Sequence, residues 1–231
     1  MIKTYYDQDA DLSIIQNRKV SIIGYGSQGQ AQAKNLKDSG VDVIIGLKEK
    51  SPSILKAQNE GFTVTEVEKA VEQATVHVIL VPDAIQRHLF KESILPNLKH
   101  GDAIIFAHGF NICFNYIKPP SYVDVLMVAP KSTGADLRNK YEIGRGAPVL
   151  IAVENDATNN AFCLALSYAK AIGGLRACGI LTTFKEETET DLFGEQTVLC
   201  GGLLQLITYA FETLVEAGYQ SEIAYYECLH E

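Results

Sequence analysis

Four acidic residues fall into two pairs with one spacing: Asp191 with Glu195, and Glu227 with Glu231. Residues four apart share a face of a helix. Like charges so placed repel by roughly 0.2–0.5 kcal/mol per pair, so two such pairs facing each other would need cations between them. Hard oxygen ligands that leave room for water suit magnesium. A solvated acidic helix face explains either pair alone, and Glu186, Glu187 and Glu189 fit that simpler account. Spacing by itself leaves both accounts open.

A second cluster could hold phosphate. Gly24-Tyr25-Gly26-Ser27-Gln28-Gly29 is G-x-G-x-x-G, placed after the apolar run Lys19–Ile23 and before a helical pattern from Gln28 to Ser39. In that setting Gly24 permits a tight turn, Gly26 lets backbone approach a pyrophosphate, and Gly29 allows close helix–strand packing. Exposed amides at the helix start would hold the phosphates. A glycine turn without a ligand shares the pattern, but not the reason for this strand and helix around it. At the end of the next strand an NAD site usually has an acid for the ribose hydroxyls. Here Gly46 is followed by Leu47, Lys48 and Glu49, and Asp42 lies at the wrong end. Lys48 offers charge, and Ser51 and Ser53 offer hydroxyls, suited to the 2′-phosphate of NADP provided Glu49 points away. The competing account is a polar loop in which Ser51 only caps a helix. His108 and Lys131 each follow an apolar strand pattern, Ala103–Ala107 and Val123–Ala129. Ligand sites gather at such strand ends, although either residue could be an ordinary loop residue. His77, His88, His100 and His230 have no comparable setting.

The elements that must position these residues alternate between two periods. Strands are expected at 19–23, 41–46, 76–81, 103–107, 123–129 and 148–153, as near-continuous apolar runs covered on both faces. Helices are expected over 28–39, from Pro52 with Ser51 as its cap, from a Thr65/Glu68 capping box, and over 158–172. Gly40 should end the first of these. Alternating strands and helices predict an α/β fold, a mostly parallel sheet with helices on both faces. After about residue 181 the pattern turns wholly helical. Gly201 and Gly202 interrupt it, and Gly218 separates two helices. The expected units are 1–182 and 183–231.

Composition excludes other classes. The 231 residues carry a formal net charge of −8, with 47% hydrophobic and 21% charged. That apolar content can fill a core, which excludes disorder as the main state. An acidic balance argues against nucleic acid as a partner. No run of about 18 uninterrupted apolar residues occurs, so no membrane span is expected. The polar, acidic start MIKTYYDQDADL is unlike a secretory signal. Cys113, Cys163, Cys178, Cys200 and Cys228 form no C-x-x-C and fit reduced thiols in a cytoplasmic protein.

With these residues in view, the whole chain resembles ketol-acid reductoisomerase, the acetohydroxyacid isomeroreductase family of valine and isoleucine biosynthesis. The carriers are the glycine motif, Ala107-His108-Gly109-Phe110-Asn111-Ile112, Ala129-Pro130-Lys131, Glu186 through Gln196, and Glu227-Cys228-Leu229-His230-Glu231. The resemblance implies a Rossmann-type domain followed by the beginning of an all-α, knotted-type domain. It implies an alkyl migration within a 2-acetohydroxy acid and reduction by NADPH to a 2,3-dihydroxy acid, at a site holding two Mg2+ ions. Asp191 would bridge the metals with Glu195 beside it, while Glu227 and Glu231 serve the second metal and the substrate from the facing subunit. Glu231 thus joins His108 and Lys131 in the catalytic set. The cofactor set is Gly24, Tyr25, Gly26, Ser27, Gln28, Gly29, Lys48, Ser51, Ser53 and Gly134. Lys48 stands where arginine is common, Cys113 where histidine is frequent, and Thr133 where a proline usually precedes the glycine. Cys178 to Leu181 and Ser221 are also unusual for the family. Family chains continue past the position of Glu231, so a C-terminally truncated member is expected. Leu203, Leu204, Leu206, Ile207 and Phe211 would need a partner, which points to a homo-oligomer once the helical domain is completed. The alternatives are an inactive NADP-binding remnant and a different Rossmann reductase, against which the carboxylate pairs count.

Overall fold

Strand sequences set the architecture. Within β2 (Lys19–Ile23), Val20 and Ile22 join one core cluster while Ile23 joins another. The same split runs through β5 (Val76–Ile79), β6 (Ala103–Phe106) and β7 (Asp124–Pro130). Successive side chains point to opposite faces, so apolar residues at consecutive positions demand cover on both. The computed structural model, which describes residues 2–231, meets that demand. Helices α2 (Ser27–Asp38) and α8 (Ala161–Ala171) supply Ala33, Leu36, Leu164 and Tyr168 to one face. Helices α4 (Val67–Gln73) and α5 (Asp83–Leu89) supply Val67, Val71 and Leu89 to the other.

The remaining strands are β1 (Thr4–Tyr5), β3 (Asp42–Gly46), β4 (Thr63–Thr65), β8 (Val149–Asn155) and β9 (Gly179–Leu181). One sheet results, in the order β1-β9-β8-β7-β6-β5-β2-β3-β4. Its pairings are parallel except β7–β8 and β1–β9. The order turns back beside β2: β3 and β4 run to one side, β5 to the other. Such a switch point opens a crevice at the carboxyl ends of the strands. Short helices α1 (Ser13–Gln16), α3 (Ile54–Asn59) and α6 (Phe110–Cys113), with α7 (Gly134–Glu142), complete this part.

Several local expectations are corrected. The helix after Pro52 begins at Ile54 with Ser53 before it, and the Ser51 hydroxyl instead accepts the Ser53 amide at 3.3 Å within a turn. Thr65 caps nothing, because it pairs with Gly46 in β4, and Glu66 precedes α4 without a side-chain cap. Gly40 follows α2 at φ +81°, as a helix stop requires.

The chain divides into two compact units, residues 1–187 and 188–231. The second is helical. α9 (Phe184–Phe193) leads through a π-helical stretch at Gly194–Gly202 into α10 (Leu203–Glu216). Gly201 and Gly202 do not interrupt this helix. A Cβ on either would strike the carbonyl five residues back, at Gln196 or Thr197, so glycine permits the wider turn. Gly218, at φ +93°, does separate α10 from α11 (Ser221–Tyr225), which ends in a second π turn at Tyr226–His230. The run Phe184–Glu216 is, by length and composition, apolar enough to cross a membrane, with none of its most apolar window buried. Counting uninterrupted apolar residues overlooks it, since scattered polar residues break the run without making it polar.

Candidate active site

At the carboxyl ends of β6 and β7 the chain gathers an ionic cluster around one buried carboxylate. Glu187, on the first turn of α9, has only 1% of its side chain exposed. Its carboxylate accepts from His108 Nδ1 at 3.0 Å, from the Gly109 amide at 3.0 Å and from Lys131 Nζ at 2.9 Å. Burial pushes the Glu187 carboxyl up. The bonds from His108, Gly109 and Lys131 outweigh it and hold the group below the ordinary glutamate range. An ionised carboxylate only accepts, so His108 carries a proton on the Nδ1 that faces Glu187. Both His108 and Lys131 stand at strand ends, as expected. Glu187, which the sequence pattern assigns to a solvated acidic face, is instead the residue that joins them. Phe184, three residues earlier, packs edge to face on Phe106 of β6, which seats this turn over the sheet.

The phosphate loop follows β2 at the same edge of the sheet. Gly24 has φ +103°, and a Cβ there would come within 2.8 Å of the Leu80 carbonyl. A Cβ on Gly29 would strike the Gly24 carbonyl, whereas one on Gly26 would meet nothing within 4 Å. The loop is therefore tightly packed behind and open at Gly26. Gln30 donates its side-chain amide to the Tyr25 carbonyl at 3.0 Å. In a trans peptide that turns the Gly26 N–H the opposite way. A cavity of about 420 Å³ opens beside the loop, lined by Gly24, Gly26, Leu47, Lys48, Ser51 and Ile85 among others. Ser53 does not line it. Pro82 and Ile85, from the loop and helix after β5, do, and no sequence motif selects them. Their signal lies in position alone, just past a buried strand beside β2.

Ser27 and Gln28 face the segment after β7. The Gln28 side-chain amide donates to the Ser132 carbonyl at 2.8 Å, one residue from Lys131. A Cβ on Gly134 would strike the Ser27 carbonyl, so only glycine allows α7 to start this close to the loop. The Ser132 hydroxyl is buried with no hydrogen-bond partner, as expected where a ligand's acceptor or donor would complete the site.

The four paired acids lie in the helical unit. Asp191 is half-buried, and Glu195, Glu227 and Glu231 are exposed. A π turn begins at Gly194, between Asp191 and Glu195. Among the described residues, no three of these four acids bring ligand atoms within 4.8 Å of one another. The donor set is oxygen only, which fits a hard divalent cation.

A switch-point sheet with a phosphate loop open at one glycine is the fold of a dinucleotide-binding protein. Comparison with known proteins narrows it. Residues 14–178 match the family "Acetohydroxy acid isomeroreductase, NADPH-binding domain", and residues 184–231 match "Ketol-acid reductoisomerase, C-terminal domain". Proteins described as ketol-acid reductoisomerase (NADP(+)) from Leifsonia xyli and Beutenbergia cavernae are each 62% identical over all 231 residues, which cover 68% of their length. A solved NADH-preferring ketol-acid reductoisomerase from an uncultured archean has TM-score 0.95 and 47% identity, over 99% of this chain and 71% of that one. A semialdehyde dehydrogenase NAD-binding protein from Cupriavidus necator (TM-score 0.75, 20% identity, 92% of this chain and 80% of that one) shares the fold alone. The chain belongs to the ketol-acid reductoisomerase family.

Proposed function

We propose that this chain is an NADPH- and Mg2+-dependent isomeroreductase that converts 2-acetohydroxy acids, 2-acetolactate and 2-aceto-2-hydroxybutyrate, to 2,3-dihydroxy acids in the cytoplasm. The observation that carries the reading is Glu187, buried and ionised, joining His108 and Lys131 beside a phosphate loop. Residues 1–182 form the NADP-binding domain in this reading, and 183–231 carry the metal ligands. Gly24 to Gly29 and Gly134 cradle the pyrophosphate. Lys48 and Ser51, which line the cavity, take the 2′-phosphate and set the preference for NADPH over NADH, with Ser53 behind them in the same turn. Asp191 and Glu195 would hold the metals from one subunit, and Glu227 and Glu231 from another, with Glu231 also reaching substrate. When bound, magnesium polarises adjacent carbonyl and hydroxyl oxygens, and NADPH supplies a hydride. The Lys131 ammonium, held by Glu187, places positive charge where substrate oxygen gains negative charge. His108 Nε2 takes or gives the proton that moves during isomerisation, with the Nδ1–H bond to Glu187 fixing the ring.

A second reading, nucleotide binding without turnover, draws on the exposure of Glu195, Glu227 and Glu231. One assay separates them: NADPH oxidation with 2-acetolactate and Mg2+. Turnover abolished by EDTA and by Asp191→Asn is expected. Folded protein that binds NADPH without turnover establishes the second reading.

A further inference from the structure

The side chain of Tyr25 occupies the first variable position of the glycine motif, yet it is 2% exposed. Its ring packs edge to face on Phe62, with centroids 5.8 Å apart. Its hydroxyl donates to Glu60 Oε2 at 2.6 Å. The other oxygen of Glu60 holds Lys34 Nζ at 2.9 Å. Lys37 Nζ, one turn further along α2, donates to the Glu60 and Gly61 carbonyls at 3.3 and 2.9 Å and lies 4.7 Å over the Phe62 ring. Three segments therefore converge on one carboxylate. They are the phosphate loop through Tyr25, helix α2 through Lys34, and the end of α3 through Glu60 itself. α3 begins directly after the turn of Lys48, Ser51 and Ser53. The Tyr25–Glu60 bond thus ties the phosphate loop to the far end of α3, and through that helix to the turn that takes the 2′-phosphate in the proposed function.

We infer that Tyr25 and Glu60 are positioning residues for the dinucleotide: their hydrogen bond fixes the spacing between the pyrophosphate loop and the 2′-phosphate loop. The inference rests on the reading that this chain binds NADPH. It gives the Tyr25 side chain the role of a strut, while the residue still lines the cavity. Only a ligand that touches both loops senses the spacing. A ligand that touches one loop does not.

That difference supplies the test. Tyr25→Phe keeps the ring on Phe62 and removes only the hydroxyl, leaving Glu60 paired with Lys34. Binding of NADPH (by the change in fluorescence of its own nicotinamide) and of adenosine 2′-monophosphate (by NMR titration) would be measured on the 231-residue chain and the variant. The expected result is about a tenfold weaker NADPH affinity, the loss of one charge-assisted hydrogen bond's worth of preorganisation, with 2′-monophosphate affinity within about twofold of the parent. Glu60→Gln, which keeps an acceptor for the hydroxyl, should retain most of the NADPH affinity. Equal losses for both ligands, or an unchanged NADPH affinity in Tyr25→Phe, would overturn the strut. Should Tyr25→Phe fold poorly, Glu60→Ala read against Glu60→Gln carries the same comparison. A parent chain that binds neither ligand would overturn the NADPH reading itself, and the strut with it.

Discussion

Burying a carboxylate strips its hydration, and at Glu187 three donors replace the water: an imidazole, a backbone amide and an ammonium. Glu187→Gln keeps the volume but presents an amide NH2 to a set of donors, so at least one is left opposed. The expected cost is about 2–3 kcal/mol in urea denaturation, with at least ~10²-fold lower turnover, since both His108 and Lys131 lose their anchor. The pH dependence has a definite sign. The folded pKa lies below the ordinary 4.5, so this stabilisation is full above that value and fades as pH falls through the lower folded one. Parent and variant stabilities should therefore converge in acid and diverge toward neutral pH. Nothing in the order Glu186-Glu187-Thr188-Glu189 marks the second acid as buried. Its setting comes from Gly109 and Lys131, 78 and 56 residues away in sequence. By contrast, His108 and Lys131 were legible, because a polar residue directly after a buried apolar run sits at a strand end by construction.

Two glycines of one loop separate folding from binding. Gly24→Ala places a side chain at φ +103° and 2.8 Å from the Leu80 carbonyl. It should cost about 2 kcal/mol or more and lower the melting temperature, with NADPH binding lost as a consequence. Gly26→Ala sits at φ −79° with nothing within 4 Å. Its stability should be unchanged or rise by about 0.4–1 kcal/mol. NADPH affinity should nevertheless fall at least ~10-fold, because the methyl group fills the space a pyrophosphate needs. Calorimetry and a binding titration on both variants decide this, and a Gly26→Ala chain that binds as well as the parent would count against a phosphate at Gly26. The long strands around this loop were readable, because cover on both faces forces runs such as Val76–Ile79 and Ala103–Phe106 to be apolar throughout. The short strands Thr4–Tyr5, Thr63–Thr65 and Gly179–Leu181 carry too few residues to show any period, and only their pairing defines them. Gly201 and Gly202 mislead for a related reason. Glycine is costly in an α-helix but relieves a carbonyl clash in a π turn, and the sequence pattern does not distinguish the two.

At the scale of the whole molecule, the four acids pose the sharpest question. Asp191 and Glu195 stand on one helical run, Glu227 and Glu231 on another, and among the described residues no three of the four bring ligand atoms within 4.8 Å of one another. α10 between them exposes Leu203, Leu204, Leu206 and Tyr209, a face that association would cover. If one pair from each subunit builds the proposed two-metal site, inactivating one pair per chain has a calculable result. A dimer of Asp191→Asn with Glu227→Gln places both lesions in one site and leaves the other intact. Random mixing makes half the dimers mixed, each with half its sites whole, so roughly a quarter of parental function should return from two variants that are each inactive alone. Co-expression with two different tags, followed by Mn2+ binding and turnover on the mixed species, reads this out. A site assembled within a single chain predicts no recovery at any mixing ratio. A recovery near one quarter that grows with the purified mixed fraction would mean the acids act across subunits, each pair of metal ions being held by one acid pair from each chain.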